Sequence, residues 1–200
     1  MLRKRLVLLR KRAHLSFARF DEHWRSGHAD LVAALPRIRE YVQNPVEQAW
    51  SADAAAPMVH GIVEVWFDDS GLTDPAHHTS PAQQEDEPHF VEALTGYTVW
   101  PRDTYEAAAK VWVLATPGTV RHLAHEDEVG GARSLAFEPE DGALVPRPRL
   151  AREATASSGV IFPCASRQLA DDLFTRVVQC CTRLSGRHVR VLVTHTRRIL

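Results

Sequence analysis

The first cluster of apolar positions is short: Leu6-Val7-Leu8-Leu9, bracketed by Arg3, Lys4, Arg5 and by Arg10, Lys11, Arg12. A secretory core needs roughly 7–15 apolar residues and a bilayer helix about 20, so this run predicts a β-strand with basic ends. Ser16 stands as an N-cap before a helical period of Phe17, Phe20, Trp24, His28, Leu31 and Leu35, which Pro36 ends. Residues 38–48 then alternate as a strand, and an Ala/Asp/Pro stretch leads to a second strand over Gly61-Ile62-Val63-Glu64-Val65-Trp66-Phe67. Residues 69–87 are polar, and Phe90, Val91 and Leu94 predict a short helix before a strand at Tyr97-Thr98-Val99-Trp100. The resulting order, βαββαβ, is ferredoxin-like, with helices on one sheet face and a bare face that something must cover.

The second half offers that cover. Strand-like runs occur at 110–114, 132–137, 159–162 and 189–196, with a short polar stretch at 119–128 where a first helix is expected. Between the last two runs, residues 166–184 form the clearest helix, with Leu169, Leu173, Val177, Cys180, Cys181 and Leu184 on one stripe and Gly186 as its stop. The expected fold is therefore α+β: two tandem βαββαβ units, residues 1–104 and 105–200 with a linker near 101–109, their antiparallel sheets packed through their open faces as a pseudo-dimeric α+β barrel. Such a chain is expected as a monomer completing its own pseudo-dimer, or as a homodimer through an exposed edge.

Composition narrows the function classes. With 200 residues, 44% apolar content and a formal charge of −1, the chain can bury a sizeable core and lacks the basic excess of a nucleic-acid binder. No run spans a membrane, and Cys164 with the adjacent pair Cys180 and Cys181 makes no disulfide framework, which predicts a reducing, cytoplasmic setting. Eleven histidines invite a metal site, yet His23 and His28 are about 140° apart on a helix, and His77-His78 and His122 to Glu128 lie in polar loop-like stretches. No metal ligand set, phosphate loop, nucleophile elbow or flavin fingerprint is found, so no cofactor is expected.

Four residues carry candidate chemistry: His28, Tyr41, Gln43 and Glu64. At about 100° per residue from Phe17, His28 falls near 20°, inside the apolar arc of Phe20, Trp24 and Leu31, whereas His23 falls at about 240°. An imidazole under a sheet is either a general acid/base or a hydrogen-bonded structural group. Tyr41 and Gln43, two apart on one strand, share a face. Glu64 interrupts an apolar strand and must be paired or protonated; strand parity leaves open whether it joins His28 in a pocket or faces the opposite sheet.

The run Phe20-Asp21-Glu22-His23-Trp24-Arg25-Ser26-Gly27-His28-Ala29-Asp30-Leu31 resembles the F-x-x-H-W-x-x-x-H-x-x-L helix motif of the EthD family. The likeness continues through residues 39–44, 61–69, Ser80-Pro81 and Asp86-Glu87-Pro88-His89-Phe90, over about the first 104 residues. The family takes its name from an ether-degradation gene cluster and carries a generic oxidoreductase label. Its dimeric α+β barrel relatives include lactone isomerases, cyclases, decarboxylases, dehydratases and cofactor-free oxygenases, which hold an apolar ligand between sheet and helices. The resemblance thus implies a cofactor-independent enzyme that performs decarboxylation, dehydration or isomerisation on a small apolar carbonyl, lactone or aromatic compound. His28 would be the acid/base, with Glu64 as its candidate partner. Tyr41 and Gln43 would orient the substrate oxygen, and Trp24, Trp66 and Phe67 would form apolar walls. The alternative is a non-catalytic ligand-binding or accessory protein of an oxygenase system.

Overall fold

The computed structural model describes residues 2–68, 79–99, 107–116, 119–120, 123, 134–137, 147, 149–151, 158–183 and 188–200. The element order is β1 (Leu2–Lys11), α1 (Phe17–Arg25), α2 (Gly27–Ala33), β2 (Ile38–Ser51), β3 (Gly61–Asp68), α3 (Pro81–Phe90), β4 (Val91–Val99), β5 (Ala109–Ala115), β6 (Leu135–Phe137), β7 (Ser158–Cys164), α4 (Arg167–Arg183), β8 (Arg190–His195) and β9 (Arg197–Arg198). The named strands pair antiparallel in the order β4-β1-β3-β2-β8-β5-β7-β6, with β9 beside β2.

Each half of that order places its first strand in the middle and its second at one end, the ferredoxin-like arrangement. The halves are joined through β2, a 14-residue strand. Its early residues pair with β3, and Val46 to Ser51 pair with β8. The chain is an α+β protein whose curled antiparallel sheet has the dimeric α+β barrel form, drawn from a single polypeptide.

Alternation along the strands sorts side chains onto two faces. In the first half, Val63 and Val65 of β3 and Tyr41 of β2 pack with Phe20, Trp24, Val32 and Phe90 under helices α1 to α3. Leu6, Leu8 and Ile62 on the opposite face pack against Trp112, Leu114, Ile161 and Leu192 of the second half. The outer face of that second half closes on α4 through Leu173, Val177, Cys180 and Cys181, and all three cysteines are free and buried.

The elements depart from the expected ones in three places. The first helix breaks at Ser26, whose backbone (φ −106°, ψ −107°) leaves the helical region and whose hydroxyl donates to the Glu22 carbonyl at 2.7 Å. Val91 and Leu94 lie in β4, and the preceding helix is the more polar segment 81–90. Its start is set by Ser80, whose Oγ accepts from the Gln83 amide at 3.1 Å, and by Pro81 in the first turn, signals that an apolar period does not register. Leu169 is exposed, and Ala170 takes the inward position on α4 instead. Trp100, the greater part of the 101–109 linker, Leu184, Gly186, His77-His78 and the histidines at 122 and 125 lie outside the described residues. No described helix is long and apolar enough to cross a membrane.

Candidate functional site

A cavity of about 80 Å³ lies between the helix-covered face of the first half and α2 and α3. Its apolar lining includes Val7, Leu9, Val32, Leu35, Val63, Val65, Phe67 and Phe90, and its polar lining is His28, Tyr41, Gln83, Glu87, Arg5, Arg37, Asp68 and Arg147. For scale, an apolar cavity of about 150 Å³ holds one benzene, so this space takes a compound of only a few heavy atoms unless the lining gives way.

His28 is 6% exposed on α2. Its Nδ1 lies 2.8 Å from Asp86 Oδ2, and the same carboxylate meets His23 Nε2 through Oδ1 at 2.8 Å. Both imidazoles rest on Phe90, with ring centres 4.8 and 4.7 Å from it. Burial alone would raise the Asp86 carboxyl, but its hydrogen bonds with His28 and then His23 hold it below its ordinary value. An ionised carboxylate accepts, so His28 Nδ1 donates in this bond.

Tyr41 is fully buried and its hydroxyl accepts from Gln43 Nε2 at 2.9 Å. Burial raises the Tyr41 phenol well above its usual value, which keeps it protonated and able to donate. Gln43 is already engaged: Nε2 also donates to the Trp24 carbonyl at 2.7 Å, and Oε1 accepts from Arg197 at 3.1 Å. It therefore steadies Tyr41 and the end of α1. Trp24 packs in the core beneath α1, against Gly61, and does not line the cavity. Phe67 does line it.

Glu64 and Trp66 stand on the opposite face of the sheet, toward the second half, which separates both from His28. Glu64 is 2% exposed and pairs with Lys4 at 2.5 Å, with Lys110 and, at 2.9 Å, with Asn44. Burial works to raise its carboxyl, and the two ammonium groups override that and hold it at about 2. Lys4 also lies 4.5 Å from the centre of the Trp66 ring.

The polar residues that sequence reasoning passed over are Asp86, Glu87, Gln83, Arg5 and Arg147. Glu87 is buried, its carboxylate bonded to Arg147 Nε at 2.6 Å and to Gln83 Nε2 at 3.1 Å. Gln83, Glu87 and Phe90 follow a helical spacing behind the Ser80-Pro81 cap, which would have placed them on one inward face. Arg5 is lowered to about 10, first by burial and then by Arg147, and its guanidinium lies 5.1 Å from the Phe67 ring centre. Arg37, at the cavity rim, has a left-handed backbone (φ 71°), a conformation costing about 1–3 kcal/mol.

Residues 12–93 match the sequence model of the EthD domain. This segment includes His23, His28, Tyr41, Glu64, Asp86 and Glu87, while Arg5 and Arg147 lie outside it. Among solved structures, a proposed monooxygenase from Lactobacillus acidophilus NCFM is similar at 10% identity and a TM-score of 0.48, covering 100% of this chain and 94% of that one. A proposed chlorite dismutase is similar at 9% identity and a TM-score of 0.48, covering 99% and 95%. No curated protein matches.

Proposed function

We propose that the EthD half binds a small, largely apolar carbonyl compound or lactone in the cavity beneath α2 and moves a proton on it, with His28 as the acid/base. The observation that carries this reading is the His28–Asp86 bond at 2.8 Å beside an apolar cavity that the His28 ring lines. Asp86 fixes the tautomer, so His28 Nε2 is the nitrogen that takes a proton from the carbon next to the carbonyl. The electron pair moves to the carbonyl oxygen, and the buried Tyr41 hydroxyl is the neutral donor available to that oxyanion. Return of the proton to carbon completes an isomerisation; if instead the oxyanion's electron pair returns and a β-hydroxyl leaves as water, protonated by the His28 imidazolium, a dehydration is completed and His28 is neutral again. The cavity's size favours compounds of a few carbons over polycyclic ones.

Proton exchange from carbon into D2O, followed by NMR over a panel of four- to six-carbon ketones, β-keto acids and lactones, tests this directly. His28→Gln should slow exchange by about 10²-fold or more while leaving ligand-induced thermal stabilisation in place. Asp86→Asn should lower kcat with KM held, since Asp86 positions His28 and does not face the ligand. Exchange at the native rate in His28→Gln overturns the reading. A second reading draws on a different feature: Asp86 ties His23 of α1 and His28 of α2 to α3, which is also what a rigid binding pocket requires. Stabilisation by panel compounds without exchange would favour that non-catalytic ligand-binding role.

A further inference from the structure

The opposite face of the same sheet borders a larger space. A cavity of about 740 Å³ lies between the two sheets, with Lys4, Lys110 and Arg198 as its cations and Glu64 and Glu40 as its carboxylates among the described residues. Its apolar walls include Val42, Trp66, Leu135 and Ile161. This volume falls within the range of about 300–1,000 Å³ typical of organic-ligand pockets.

The charges do not balance. Arg198 is answered at the rim by Glu40 at 3.8 Å. Deeper in, Lys4 and Lys110 share the single carboxylate of Glu64, and the side chains of all three are under 8% exposed. Among the described residues, one positive charge is therefore left in surplus away from water, an unfavourable position for an uncompensated charge. Burial pulls the Lys110 ammonium below its ordinary value against the attraction of Glu64, as expected of a cation short of counter-charge. A second observation is independent of charge: Trp66 is 3% exposed and lines this cavity, and its buried indole Nε1 has no hydrogen-bond acceptor. A buried N–H donor without an acceptor is unfavourable, and a ligand oxygen placed there would relieve it.

We infer that the space between the sheets is a second binding site, distinct from the His28 cavity, which takes an aromatic or alicyclic monocarboxylate. Its carboxylate supplies the counter-charge for the Lys4–Lys110 pair and an acceptor for the Trp66 N–H, and its ring body lies on the apolar walls. One negative charge matches one surplus positive charge. A neutral analogue of the same shape leaves the lysines uncompensated, and a dianion overshoots.

The test uses 2-naphthoate as probe and 2-naphthamide as its neutral isostere, with affinity measured by calorimetry and the Trp66 indole signal followed by 1H–15N NMR and assigned by its loss in Trp66→Phe. Naphthoate should bind and shift the Trp66 indole proton, and naphthamide should bind at least about tenfold more weakly, as loss of a charged hydrogen bond predicts. Lys110→Met leaves Glu64 its Lys4 and Asn44 partners and should cost naphthoate about tenfold in affinity. Trp66→Phe keeps an aromatic ring at the wall and should weaken naphthoate binding, which keeps the test intact if the lysine variant fails to fold. His28→Gln should leave naphthoate binding at the native value, so failure of the proton-transfer reading does not touch this one. Equal affinity for acid and amide, a Trp66 indole unmoved at saturation, or no naphthoate binding at millimolar concentration overturns the inference.

Discussion

Strands β1, β2 and β3 present two faces with opposite physics. On the helix side, Val63, Val65 and Phe67 surround a small apolar space whose strands also supply Arg5, Tyr41 and Asp68, and the paired groups His28 and Asp86 come from the helices and meet above the sheet. On the inter-sheet side the sheet itself contributes charge: Lys4 and Glu64 project from adjacent strands, and Lys110 reaches across from the other half. Ligand chemistry added by a cover can change without disturbing the platform. Charge built into the platform is part of what holds the halves together.

That contrast predicts unequal costs for comparable substitutions. Glu64→Gln keeps the shape and removes the carboxylate that two buried ammonium groups share, so it should destabilise the protein by about 3–5 kcal/mol. His28→Gln, on the other face, should cost under about 1.5 kcal/mol, the value of one hydrogen bond. The pH dependence sharpens the difference. The Glu64 carboxyl lies at about 2 in the folded protein, against an ordinary value of 4.5, so its contribution is complete above about 4.5 and fades as pH falls toward 2. Denaturant melts of both variants at pH 7 measure the costs. Equal losses on the two faces would break the comparison.

A smaller effect tests how tightly the helix cover sits. A Cβ built on Gly61 would come within 2.5 and 2.6 Å of two Trp24 ring carbons, and the ring is fully buried with nowhere to swing. Gly61→Ala should therefore cost about 1–3 kcal/mol through overpacking. The penalty should vanish in a Trp24→Leu background, which a double-mutant cycle would measure.

Much of this architecture was legible in the chain because the strands are long and the alternation is regular. Ser16 capped α1 as expected, and the order of the strands was readable from apolar runs. A period of two divides residues into sets, however, without saying which set faces what. Tyr41 and Phe67 proved to be on the helix side, and Glu64 and Trp66 on the other, only because β2 carries the chain into pairing with β8 and brings the second sheet over that face. The partner of His28 was hidden for another reason. Asp86 lies in a polar helix marked by its cap and its proline, features that a search for apolar periodicity ignores. Arg147 reaches Glu87 from 60 positions along the chain, a separation that no local pattern encodes.

The mildest expected effect concerns His60, at the rim of the helix side where the ring packs 6.4 Å from Phe20 and Nδ1 faces the Lys11 amide at 3.4 Å. Burial first, then Lys11 and Arg10, lower this imidazole to about 4. The unfolded chain takes up a proton below about 6.5, while the folded chain declines it until about 4, so stability is full above 6.5 and drains as pH falls through that window. His60 is only half-buried, and solvent screening should keep the loss to under about 1 kcal/mol between pH 7 and 5. The native chain should melt lower at pH 5 than at pH 7, and His60→Gln, which cannot titrate there, should show a smaller fall; His195, also lowered by burial and then by Arg197, supplies a share that remains. Glu64, with its value near 2, contributes nothing to that difference. A pH 7-to-5 fall of undiminished size in His60→Gln would move the mild-acid sensitivity to other groups and remove the rim of the helix side as its source.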